Sequence, residues 1–170
     1  MLQSPYQPMD YLWAPWRMPY IEDDTDDEQC IFCQLLSQED GPNNLILFRG
    51  ELSFVILNRY PYTNGHLMVV PFAHKDTIEG LPAETLAEMM MLSSQSVTTL
   101  RRTYQADAFN LGINIGTIAG AGIKDHVHIH VVPRWQGDTN FMATTARTRV
   151  LPEALEVTYN RLKEHWVPAQ

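Results

Sequence analysis

Apolar residues in this chain fall into short runs separated by turn residues, and the spacing of those runs changes along the sequence. Residues 45–48 (Leu-Ile-Leu-Phe) and 53–57 (Ser-Phe-Val-Ile-Leu) flank Arg49-Gly50-Glu51, the pattern of a β-hairpin. A turn-rich stretch, residues 58–65, leads to His66-Leu67-Met68-Val69-Val70-Pro71, a third strand ended by proline. From Pro82 the apolar period lengthens to that of a helix, running to about Tyr104 with Leu86, Met90, Val97 and Leu100 on its apolar face. Met89-Met90-Met91 reads as core filler or a soft packing surface. Residues 109–115 form a fourth strand, and a small-residue loop from Gly116 to Gly122 precedes a fifth. A last helix starts near Pro152 with Leu155, Tyr159, Leu162 and Trp166 on one stripe. The expected class is α+β, a five-stranded, mostly antiparallel sheet with two main helices.

The fifth strand departs from ordinary patterning. In Asp125-His126-Val127-His128-Ile129-His130-Val131-Val132-Pro133 imidazoles alternate with Val and Ile, and the run is expected to stop at the proline. Strand side chains alternate between faces, so His126, His128 and His130 share one face and Val127, Ile129 and Val131 the other. Aliphatic residues would fill the same space with no polar atoms to satisfy. Three imidazoles on one face suit either convergence on a metal ion or nucleophilic catalysis by one ring supported by its neighbours. The pattern alone does not choose.

The ends differ from the middle. Residues 1–28 form an arm rich in aromatics and proline, including Trp13-Ala14-Pro15-Trp16-Arg17, and close on an acidic run, Glu22 to Glu28, that reads as a solvated loop. Residues 29–170 read as one domain. The chain has 170 residues, 45% of them hydrophobic, enough for one core. Its net charge of −8 argues against a nucleic-acid backbone as partner, while a small anion held by backbone amides and imidazoles stays open. Neither a membrane span nor a secretory leader is expected, which points to the cytoplasm. Cys30 and Cys33 enclose Ile31 and Phe32 and precede a short amphipathic segment at residues 34–38. That spacing suits a redox pair, half of a zinc site, or two buried thiols.

The order His-φ-His-φ-His-φ-φ, with φ apolar, is the signature of the histidine triad family, which residues 126–132 resemble. The strand and loop from Asn58 to His74 resemble the family's nucleotide-binding segment. Trp13 to Arg17, and Pro133 to Met142 with Trp135 among them, resemble a bacterial branch containing diadenosine tetraphosphate phosphorylases. The resemblance implies a nucleotidyl hydrolase or transferase acting at the α-phosphate of dinucleoside polyphosphates. His128 would be the nucleophile and His130 would stabilise the phosphate. Asn58 would bind the ribose, and Asn114, Gly120, Gly122 and Trp135 would complete the nucleotide site. It also implies a structural zinc on Cys30, Cys33, His74 and His126, leaving His128 and His130 for chemistry, and a homodimer joined edge to edge. One departure is visible. Relatives often have Gly-Gln-Ser or Gly-Gly-Ser where this chain has Gly120-Ala121-Gly122, so the acceptor, water or phosphate, stays open.

Two other classes compete. A zinc hydrolase would hold a catalytic ion on the triad itself, although no carboxylate follows at ligand spacing. A binding module would take up nucleotides without turnover. His66 and His165 have no matching constellation, and both read as structural or surface residues, His66 beside the nucleotide loop.

Overall fold

The computed structural model describes residues 30–138 and 153–166; the aromatic arm and the Phe141-Met142 segment lie outside them. The elements are α1 (Ile31–Leu36), β1 (Ile46–Arg49), β2 (Ser53–Leu57), β3 (Leu67–Pro71), α2 (Ala83–Tyr104), β4 (Ala108–Ile113), β5 (Ile129–Arg134) and α3 (Leu155–Glu164). The five strands form one sheet in the order β1-β2-β3-β5-β4, and every neighbouring pair is antiparallel. The expected α+β class holds, with a third, short helix added. That helix starts at Ile31, inside the cysteine pair, rather than at residue 34.

β5 does not stop at Pro133. It runs through the proline to Arg134, with Phe109 opposite Pro133 on β4. The physical reason is one-sided pairing. β3 lines β5 only as far as Val131, so a missing N–H on that side beyond Val131 breaks no ladder bond.

The long helix lies where expected, with Leu100 buried and Val97 packed against the core as expected, but the rest of its buried face is shifted away from Leu86 and Met90. Met89, Leu92 and Leu100 are buried together with Thr85, Ser93, Ser96 and Thr99, whereas Leu86, Met90 and Met91 are exposed. Small hydroxyl residues let the helix sit close to β2, β3 and β5. Their polarity is contained inside the helix: Ser93 donates to the Met89 carbonyl and Ser96 to that of Leu92, each at 2.8 Å. Only Met89 of the methionine run is core.

Val127, Ile129 and Val131 are buried in the main hydrophobic cluster with Leu67 and Val69. Each contributes about 1.5–3 kcal/mol when fully buried. β5 begins at Ile129, later than the expected start, so His130 lies on the strand while His126 and His128 lie on the segment leading into it, with Val127 in the core behind them.

Candidate active site

Each histidine of the triad is fixed by a different partner, and the partners determine which ring nitrogen carries the proton. His126 is fully buried, and its Nε2–H donates to the carbonyl of Pro71 at 2.8 Å. Its Nδ1 therefore bears a lone pair, and it faces Cys30 Sγ at 3.3 Å and Cys33 Sγ at 3.8 Å. His128, also buried, donates Nδ1–H to the backbone carbonyl of His126 at 2.9 Å. Its Nε2 is left as a lone pair.

His130 is set by a residue that the sequence reading assigned no chemistry. His66 Nδ1 receives the backbone N–H of Tyr62 at 3.1 Å and the Asn58 amide at 3.2 Å, so it is an acceptor. The Asn58 amide orientation follows from its own Oδ1, which accepts the Tyr60 N–H at 2.9 Å. His66 must then donate from Nε2 to His130 Nδ1, 3.0 Å away, which places the His130 proton on Nε2. Burial, with His130 and His128 close by, depresses the His66 pKa to about 3, so it serves as a neutral relay of hydrogen-bond direction. Burial likewise lowers the pKa of His128, against the opposing pull of its bond to the His126 carbonyl, and keeps its Nε2 unprotonated at neutral pH. The result is a lone pair on His128 beside an N–H donor on His130, with ring centroids 4.7 Å apart.

Phe32 joins this site to the cysteine pair. It is buried between Cys30 and Cys33, and its ring stands edge-on to His126 at 5.4 Å and to His128 at 5.2 Å between centroids. Cys30, Cys33, His74 and His126 bring one donor atom each within 4.8 Å of all the others. The closest contacts are Cys33 Sγ to His74 Nδ1 at 3.4 Å and Cys30 Sγ to His126 Nδ1 at 3.3 Å. Tetrahedral zinc with two sulfur and two nitrogen ligands sets ligand–ligand edges of about 3.3–3.8 Å. The residues present fit such an ion, and the Pro71 carbonyl, by accepting the His126 Nε2–H, holds the ring with Nδ1 toward the two sulfurs. Burial and the neighbouring Cys30 push the Cys33 thiol up, a pressure that a dication would relieve.

The triad does not itself form a metal site. His126, His128 and His130 send their Nδ1 atoms to three different destinations, and among the described residues the cysteine–histidine cluster is the one group of ligating side chains that converges.

The remaining expected site residues are spread out. Asn58 supports His66, as above. Asn114 donates to the Gly120 carbonyl at 3.4 Å, and the Gly120 N–H donates to Thr117 at 2.9 Å, so both stiffen the loop ahead of the triad. Gly120 sits at φ +85°, where a side chain would be strained. Gly122 is exposed on the same loop. Trp135 lies at the far end of β5, its indole N–H on the Tyr104 carbonyl at 3.1 Å, beside the Arg134–Asp138 ion pair. His165 is an exposed residue at the end of α3. The signal for His66 was present in the sequence as Asn58-x7-His66 ahead of an apolar strand, but only the fold brings it against His130.

A buried imidazole with a lone pair just before β5, beside a donating imidazole on β5 and with a separate cysteine–histidine cluster, is an arrangement that can attack an electrophile. The chain belongs to the histidine triad family: the HIT domain model matches residues 41–137. It is 35% identical to an AP-4-A phosphorylase of Mycobacterium tuberculosis over 165 residues, covering 91% of this chain and 83% of that one. It is 29% identical to an adenylylsulfatase of Arabidopsis thaliana, covering 77% of this chain and 65% of that protein. Among solved structures it resembles a Zn-bound histidine triad family protein from Mycobacterium smegmatis, with 28% identity, a TM-score of 0.66, and 82% and 94% of the two chains covered. Among the described residues no helix is long and apolar enough to cross a membrane.

Proposed function

We propose that this protein is a nucleotidyl hydrolase or transferase acting on dinucleoside polyphosphates, with His128 as the nucleophile. The observation that carries the reading is the set of fixed tautomers: His128 presents a lone pair and His130 an N–H, side by side. The His128 Nε2 lone pair attacks the α-phosphorus, forming a P–N bond as the bond to the bridging oxygen breaks. The leaving nucleoside polyphosphate departs with that electron pair. His130 donates its Nε2–H to a non-bridging oxygen, where negative charge gathers. An acceptor then attacks phosphorus, the P–N bond breaks, and His128 regains its lone pair. The likeness to a relative named AP-4-A phosphorylase supports this substrate class. Asn58, Asn114, Gly120 and Gly122 belong to the nucleotide site in this proposal, with Asn58 acting on His66 as well.

The metal set is Cys30, Cys33, His74 and His126, and the ion it suits best is zinc. A bound zinc would supply structure rather than reactivity, tying α1 to the start of β5. Two thiolates on an ion suit a reducing compartment such as the cytoplasm.

A homodimer and the role of Trp135 support each other. β5 rises about 3.4 Å per residue, so Trp135 stands roughly 17 Å along the strand from His130. Among the described residues β4 is an edge strand that exposes Leu111 and Ile113, and it runs antiparallel to β5 with Ala108 opposite Arg134 and Ile113 opposite Ile129. Antiparallel pairing of two β4 edges about a two-fold axis would bring one copy's Trp135 end beside the other copy's His130 end. Trp135 then serves the partner's nucleotide.

The test is incubation with diadenosine tetraphosphate, with and without inorganic phosphate, reading products by ion-exchange chromatography. ATP plus ADP formed only with phosphate is phosphorolysis, and AMP plus ATP in either case is hydrolysis. No turnover by zinc-loaded protein overturns the proposal.

A further inference from the structure

One strand position has no structural reason to be glycine. Gly112 lies inside β4, directly opposite His130. Glycine in a strand interior is disfavoured against alanine, because it loses more conformational freedom on folding and brings no side chain to pack. Its backbone does not demand that cost, since the positive-φ glycines are Gly65, Gly116, Gly120 and Gly137. Packing among the described residues does not demand it either, because a Cβ built at Gly112 meets none of their atoms within 4 Å.

The register says where that side chain would stand. Directly opposed residues in an antiparallel pair point to the same side, with Cβ atoms about 4.5–5.5 Å apart. A side chain at 112 would therefore flank the His130 imidazole on its β4 side. The other side is occupied: His66, the residue just before β3, holds His130 Nδ1. The Nε2 edge of the ring is thereby turned away from β3, toward the strand that carries Gly112.

We propose that Gly112 is a specificity-determining residue whose missing side chain makes room for the polyphosphate beyond the α-phosphate. The proposal rests on the functional reading above. In-line attack by His128 puts the leaving chain on the far side of phosphorus, and the open space beside His130 at the sheet edge receives it. A ligand ending at the α-phosphate does not use that space.

Gly112→Val tests this, because valine suits an open strand position and the variant folds with a melting temperature at or above the parent's. Binding of AMP and of ATP is measured by titration calorimetry with zinc-loaded parent and variant. AMP affinity is expected to stay within about twofold while ATP weakens by about tenfold or more. Equal weakening of both, or of neither, overturns the proposal. So does a shift to a smaller mass in light scattering, which would assign the glycine to association. Failure of the functional reading shows separately, as absence of diadenosine tetraphosphate turnover by the parent, and leaves the AMP-against-ATP comparison intact.

Discussion

At the scale of single residues the site is a matter of proton placement. Two backbone groups, the His126 carbonyl and the Tyr62 N–H, fix where the protons of His128 and His130 sit. His128→Asn is expected to abolish turnover while retaining mononucleotide binding; loss of binding would show a structural role instead. His66 makes a different prediction. Its pKa is held near 3, below the ordinary value of 6.5, so between those pH values the unfolded chain binds a proton that the folded one does not. Its contribution to stability is complete above pH 6.5 and is lost as pH falls toward 3, at about 1.4 kcal/mol per unit inside the window. Urea unfolding at pH 7 and pH 5 should therefore show a shallower pH dependence for His66→Asn than for the parent; an unchanged slope sinks the assignment. The triad was legible in the sequence because period-2 imidazoles admit few readings. His66 was not, since its role depends on a contact 64 residues away in sequence.

At the scale of elements, α1 is the shortest of the three described α-helices and touches the most chemistry. Six residues long and without a side-chain cap, it has little stability of its own. What holds it is Phe32 in the core and the Cys30, Cys33, His74, His126 cluster. Chelation of the bound metal, or Cys33→Ser, is expected to lower the melting temperature by several degrees, as a loss of about 1–2 kcal/mol would. It should also lower kcat, because the ring of Phe32 rests on His128. A melting temperature indifferent to chelator would remove zinc from this account. The sequence carried the cysteine spacing but not the helix that starts inside it. It misread α2 for a related reason: hydropathy favours Leu86 and Met90, whereas the sheet accepts Ser93, Ser96 and Thr99, whose small volume allows close approach. Burial by fit does not register in hydrophobic periodicity.

At the scale of the molecule, the open question is what covers β4. An edge strand exposing Leu111, Ile113 and, beyond its end, Ile115 is a template for another strand. Pairing of two such edges makes a specific claim about catalysis: each active site uses His128 from one copy and Trp135 from the other. Neither His128→Asn nor Trp135→Ala homodimers should then be fully active. Co-expressed, they form mixed dimers in which the Trp135→Ala copy keeps its own His128 and receives an intact Trp135 from its partner. That one site is whole, and activity should rise well above either parent variant, toward half the wild-type value per mixed dimer. If Trp135 instead serves its own chain, every site in the mixture lacks one of the two residues and no rescue occurs. Purifying the mixed dimer on two different affinity tags and measuring diadenosine tetraphosphate turnover separates the two arrangements, and a monomeric mass by light scattering would dispose of both the dimer and the shared site.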